Sequence, residues 1–323
     1  MNAFEQAISG EQISAPPSQV DYLIDRSFRG IATVCAWLIL IIVGLILWEI
    51  GAKAVPAIGK YGLGFLTGTT WDVNKQIFGI LPEIWGTLYS SILALIIGGF
   101  FGVSMAIFLT QDFLPARIAY IFRTIVELLA AIPSVVYGFW GIYIVIPFIR
   151  PLADWLNTEF GWIPFFSSTL SGPGMLPAVL VLSIMILPTV AAVSQDALKM
   201  VPYRIKEAAY GLGANRWEVI LKVMVPTAST GIFGSLVLGF GRALGETMAL
   251  AMLVGNSNQL SLSLFSPGNT LAALLALNFP EAGENEIPVL MYVALVLLMI
   301  TFLVNMAGTA IMSLTSKQLK AGK

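Results

Sequence analysis

Apolar residues in this chain gather into six runs, near 31–50, 85–110, 125–149, 175–195, 228–254 and 288–313. A helix rises 1.5 Å per residue, so a run of about 20 apolar residues crosses the roughly 30 Å hydrocarbon core of a bilayer. The pattern predicts an all-α polytopic membrane protein with about six transmembrane helices. The third run contains Pro133 and Gly138, which predicts a kink or an unwound turn. A different pattern occupies the connection 196–226. There Ile205, Ala208, Ala209 and Leu212, then Trp217, Ile220 and Val223, recur at helical spacing on either side of Gly211 and Gly213. This spacing predicts a short amphipathic helix, a glycine turn and a second helix, either lying on the membrane surface or docking a partner.

The runs divide the chain. Residues 1–30 read as a polar, disordered tail that includes "SAPPSQ". The run 31–50 is a first, uncleaved transmembrane helix, because no small-residue cleavage site closely follows it. An outer loop spans 51–84, five further helices fall within 85–313, and 314–323 form a tail. Twelve Lys and Arg residues fall in the N-terminal segment, the connections after the second and fourth runs, and the C-terminal tail; four fall on the opposite side. The positive-inside rule therefore predicts that both termini and the 196–226 connection are cytoplasmic. No inverted internal repeat is visible, unlike many secondary transporters.

Composition sharpens this outline. Of 323 residues, 57% are hydrophobic and only 11% charged, where a soluble domain has about 25% charged. There is no histidine, which removes the commonest general base and metal ligand. The one cysteine, Cys35, permits no disulfide within the chain. A net charge of −1 provides no basic field for nucleic acid. No Walker A pattern occurs, and no cluster of acidic ligands suggests catalysis or a metal site.

Two charges stand out. The segment "LGFGRALGETMALAMLVG", Leu238–Gly255, is long enough to be most of a span, yet contains Arg242 and Glu246. Each costs about 2.5 kcal/mol or more at the bilayer centre. Four residues apart on a helix, they would share one face with Cβ atoms about 5–6 Å apart. One interpretation is a mutually neutralising pair that fixes packing, although buried pairs of this kind stabilise weakly. The other is an anion site. Arg presents a planar fork suited to a phosphate-type oxyanion, and Glu246 would hold that fork and prevent over-tight binding. Glu127, at the start of the third run, is either an interfacial acid or part of the gate. Thr247, Ser134 and Tyr137 offer hydroxyls along the path or between helices. Asn256, Asn258 and Gln259 form a polar turn or part of an outer mouth.

The 196–226 connection resembles the EAA loop of binding-protein-dependent ABC-importer permeases. Glu207, Ala208 and Ala209 lead, Gly213 follows at the family's spacing, and Pro226 closes the motif, with Val223 and Val225 where Ile and Leu are usual. "ELLAAIPSVVYGFWG" (127–141), "SGPGMLPAVLVLSIMILPT" (171–189) and "GRALGETMA" (241–249) are similar to the PstC-type permeases of phosphate importers. The resemblance implies a type I (MetI-like) permease core whose EAA loop inserts into a cleft on an ATPase subunit. It implies a heterodimer with a PstA-type permease, two copies of a cytoplasmic ATPase that bind the ATP, and an extracytoplasmic phosphate-binding protein. No cofactor is expected on this chain, and the location is the bacterial plasma membrane. The function so implied is a non-catalytic permease subunit for inorganic phosphate, with another oxyanion such as sulfate or molybdate, or an ion-coupled carrier, as alternatives.

Overall fold

A computed structural model describes residues 19–111 and 113–321. Eleven principal helices are numbered here: α1 (Gln19–Tyr61), α2 (Leu81–Thr110), α3 (Ala116–Ala131), α4 (Ser134–Trp140), α5 (Ile146–Phe160), α6 (Met175–Lys199), α7 (Tyr203–Gly211), α8 (Ser229–Leu244), α9 (Met248–Leu253), α10 (Leu271–Asn278) and α11 (Ile287–Ala321). Among the described residues, five helical segments are long and apolar enough to cross a membrane. The segment Arg216–Thr227 with α8, bent by 69°, makes a sixth. The chain is an all-α membrane protein with five to six spans.

The chain forms two units, divided after Ala52. In the first, α1 already begins at Gln19, so helix occupies part of the predicted 1–30 tail; residues 1–18 lie outside the described residues. Apolar side chains from Val20 to Trp48 are exposed on every face. Such a surface suits lipid or a neighbouring helix. At the other end of the chain α11 continues to Ala321, through most of the expected 314–323 tail.

In the second unit α6 is the central helix. Ala178, Val181, Leu182, Ile186, Val190 and Ala191 are essentially inaccessible. Apolar burial alone holds helices together weakly in lipid, so close approach has to come from small residues. Gly98 and Gly102 of α2 meet α6 so closely that a Cβ at Gly98 would lie 2.5 Å from the Ser183 carbonyl oxygen. Beside that contact, Gly231 faces Ala197 and Gly239 faces Val190, stepping along the antiparallel helix α8. Between those steps the hydroxyls of Ser194 and Ser235 meet at 2.7 Å, wholly buried. Helix α8 packs in turn on α11, where Gly234 meets Met312 and Gly308 meets Val237.

A second cluster forms around the two-residue strands β1 (Trp71–Asp72) and β2 (Ile77–Phe78), which pair as a small antiparallel hairpin. Phe65 stacks on Tyr292 at 4.5 Å between ring centroids, among Ala54, Ala57, Phe78, Ile80, Leu271 and Val293. In the hairpin turn the backbone N–H of Lys75, and then its ammonium, hold the Asp72 carboxyl below the usual carboxylate range.

The predicted break in the third run falls at Pro133. Pro115 and Pro133 bracket α3, and α4 starts anew after Pro133. A proline has no N–H to continue the ladder and restricts the residue before it. A five-residue π-helical stretch, Gly141–Val145, then links α4 to α5.

Candidate functional site

Arg242 lies in the last turn of α8. Its position follows from the step pattern just described. Ala197, Ser194 and Val190 of α6 meet Gly231, Ser235 and Gly239 of α8. One turn beyond Gly239, the long side chain of Arg242 reaches Thr189, the neighbour of Val190, and its Nη1 donates to the Thr189 Oγ1 at 3.0 Å. Pro188 precedes Thr189 inside α6 and leaves one helical carbonyl without its usual donor. Along α11 the steps Gly234–Met312 and Val237–Gly308 continue to Gly241 and Asn305. Thr189, Leu238, Gly241, Arg242, Thr301 and Asn305 together line an open cavity of about 360 Å³. Arg242 is exposed on this chain's own surface, within the apolar segment. A guanidinium so placed in a membrane must face a second protein, water or an anion rather than lipid.

The spacing predicted one shared helical face for Arg242 and Glu246, and the structure does not give it. Helix α8 ends at Leu244, with Gly245 as its C-cap, and α9 begins at Met248. The Glu246 Oε1 instead accepts a long bond from the Ala249 N–H at 3.4 Å, in the first turn of α9. That is a favourable place for a carboxylate, since the first helical N–H groups lack partners and the N-terminus is partly positive. Among the described residues no ion pair joins Arg242 to Glu246. The difference arises from glycine: a four-residue spacing means a shared face only while the helix continues, and Gly245 ends it. Thr247 turns its hydroxyl to the Gly245 carbonyl at 3.1 Å, inside the same turn.

The remaining predicted path residues are spread out. Glu127 is exposed in the amphipathic α3, before Pro133 rather than at the start of the span itself. Ser134 is the first residue of α4. Tyr137 is buried one turn later, donates to the Leu129 carbonyl at 2.8 Å and lies within electrostatic reach of Arg242. Helix α4 packs on α9, where Met252 comes against Gly138.

The connection before α8 has the predicted helix–turn–helix form. Glu207, Ala208 and Ala209 lie on α7, with Glu207 and Ala208 exposed. At its end Gly213 takes φ +85°, its N–H bonds the Tyr210 carbonyl and the Ala214 N–H bonds that of Ala209. This is a Schellman stop, which asks for glycine at the left-handed position. Asn215 then starts the next helix through a reciprocal capping box with Glu218. A π-helical stretch, Val219–Met224, leads to Val225–Thr227, where Pro226 precedes the bend into α8. Leu212 is 89% exposed and Tyr203 70%, so the tip presents apolar side chains outward. The base is anchored: Phe113 stacks on Trp217 at 5.2 Å and on Phe108 at 5.9 Å, and the Arg216 guanidinium lies 4.1 Å from the Phe113 ring centre.

Thr189, Thr301, Asn305 and Phe113 were not identifiable as functional from the apolar pattern, because hydroxyls and a lone amide hardly disturb it. Glu83 was also missed. It is fully buried in the first turn of α2, and both carboxylate oxygens have no hydrogen-bond partner among the described residues.

Residues 98–316 match the family described as binding-protein-dependent transport system inner membrane component. The chain is 40% identical to the phosphate transport system permease protein PstC of Haemophilus influenzae over 286 residues, 87% of this chain and 90% of that one. It is 35% identical to the PstC protein of Mesorhizobium japonicum, covering 94% of this chain and 95% of that one. Among solved structures, a bacterial ABC transporter for the import of alginate matches with a TM-score of 0.60 at 14% identity, covering 92% of this chain and 99% of that one. An inward-facing MetNI methionine ABC transporter matches at 0.55 and 20% identity, covering 73% and 95%. At such identities the likeness concerns the fold, that of a type I importer permease.

Proposed function

Because this chain belongs to the family of binding-protein-dependent transport system inner membrane components, we propose that it is the PstC-type permease subunit of an ATP-driven importer for inorganic phosphate. It is a non-catalytic partner in a heterodimer with a PstA-type permease. Two copies of a cytoplasmic ATPase bind the ATP, and an extracytoplasmic phosphate-binding protein delivers the anion. Both termini and the α7 tip face the cytoplasm of a bacterial cell.

The observation that carries this proposal is the continuity between α7 and Arg242. The exposed element Glu207–Gly213 leads through one bend into α8, whose last turn holds an exposed arginine inside the apolar segment. Movement of the tip with its ATPase therefore reorients the arginine. Glu207, Ala208, Ala209, Gly213 and Pro226 form the coupling element. Arg242 is the anion contact, with Glu246 nearby to keep binding weak enough for release. Thr247, Ser134 and Glu127 are assigned to the path around it. A single arginine is a modest counter-charge for a divalent anion, so a basic group of the partner permease completes the site.

Labelled phosphate uptake into vesicles containing the complete transporter tests this. Uptake should require ATP, the binding protein and Arg242. Uptake that persists with inactivated ATPases would instead indicate an ion-coupled carrier.

A further inference from the structure

The described part of α11 contains one amide and no charged side chain between Ile287 and Ser313. Its threonine and serine hydroxyls are spent locally, Thr301 donating to the Leu297 carbonyl, Thr309 to that of Met306 and Ser313 to that of Ala310, while the Tyr292 hydroxyl donates to the Gly62 carbonyl. The Asn305 amide makes no hydrogen bond among the described residues, although it is partly buried. It lies against Gly241, where a Cβ would approach its amide oxygen to 3.3 Å and its nitrogen to 3.6 Å. Glycine therefore makes room for the amide beside the backbone of α8, one residue before Arg242. Both side chains line the same cavity of about 360 Å³, room for on the order of ten waters at about 30 Å³ each.

The donor and acceptor inventory of that cavity is incomplete without Asn305. Arg242 is donor only, and it is the one charged group lining the space. Thr189 already accepts from Arg242. The Thr189 and Thr301 hydroxyls can still accept, but the Asn305 amide is the one lining side chain that offers an N–H donor and a carbonyl acceptor together in fixed planar geometry. A protonated tetrahedral anion needs both: donors for its P–O oxygens, and an acceptor for its P–OH. A site built to pair a substrate hydroxyl rejects analogues lacking it far better than shape does.

We infer that Asn305 is a specificity-determining contact to the transported anion, donating to one phosphate oxygen and accepting from the P–OH. The inference rests on the phosphate function proposed above. Gly241 is the positioning residue that lets the amide reach the anion.

The test uses the complete transporter in proteoliposomes, with saturating phosphate-loaded binding protein, and measures uptake rate across pH. N305L keeps the branched heavy-atom shape, with bulkier methyls, but removes both hydrogen-bonding groups, and its rate should fall about tenfold or more at every pH. N305D keeps an acceptor, loses the donor and adds negative charge. Its optimum should shift to lower pH, where phosphate is monovalent and carries two P–OH groups. Co-purification with the partner subunits should be unchanged for both. Wild-type rates and pH profile in both variants would overturn the assignment while leaving the phosphate importer intact. Parallel losses with failed assembly and no pH shift would overturn it in favour of a packing role. An inactive wild-type transporter would overturn the phosphate function and this inference together.

Discussion

Arg242 donates through Nη1 to the Thr189 hydroxyl at 3.0 Å, so the guanidinium is oriented by α6 rather than by the carboxylate four residues on. Thr189 is therefore a positioning residue for this arginine. Hydrogen bonds to charged groups are worth about 1.5–3 kcal/mol. T189V, which deletes the hydroxyl and keeps the shape, should lower uptake by roughly tenfold, and T189S should restore most of it. R242Q should abolish uptake with assembly intact. Full activity in R242Q would make the arginine structural or redundant.

Gly213 occupies the left-handed position of the Schellman stop at φ +85°. A β-branched residue there is strained by about 1–2 kcal/mol. G213V should misplace the α7 tip and uncouple ATP hydrolysis from transport, without loss of membrane insertion. Replacing the exposed Glu207 should have the same signature. The check is the ratio of phosphate moved to ATP hydrolysed, and a normal ratio in both variants would remove the docking assignment.

Phe113 is sandwiched among Trp217, Phe108 and the guanidinium of Arg216. Each such contact contributes about 0.5–1.5 kcal/mol. F113A should loosen the base of the coupling element from the end of α2 and lower transport severalfold, while F113W retains it. Faster hydrogen exchange over 214–222 in F113A is the expected physical sign. Unchanged exchange there would contradict the anchoring role.

Glu83 lies fully buried without a partner for either oxygen among the described residues. Burial of an unpaired ionised group is expensive. E83Q, which preserves shape and removes the ionisable group, should therefore resist heat in detergent at least as well as the parent protein. E83K should insert or assemble poorly. A marked loss of thermal stability in E83Q would show that the carboxyl is specifically needed.

Apolar periodicity revealed most of this architecture, because span length follows from bilayer thickness. Pro133 marked the break before α4 as clearly as any local signal can. The turn at Gly213 was legible for the same reason: few residues tolerate that backbone. Gly245 was not. A glycine inside an apolar run usually means close packing, and only the neighbouring backbone decides that it ends a helix. The surroundings of Arg242 were hidden more deeply, since Thr189 and Asn305 are 53 residues before and 63 residues after it in sequence. Their meeting depends on the pairing of α6 and α11 with α8, which one span's composition does not reveal. Glu83 escaped notice because the apolar run read from the sequence begins two residues later, whereas α2 begins at Leu81.

The break at Gly245 puts Arg242 and Glu246 on separate levers. Arg242 travels with α8, which is packed on α6 and α11. Glu246 is joined to α9, which packs chiefly on α4 and also on α10 and α6. Rotation about the three residues between α8 and α9 changes the gap between the charges without breaking either helix. If Arg242 is the anion contact proposed above, attraction for the anion would become a mechanical variable: strong with the levers spread and the guanidinium bare, weak with them closed and the carboxylate competing for it. One glycine would then let a fixed set of side chains hold and release the same ion.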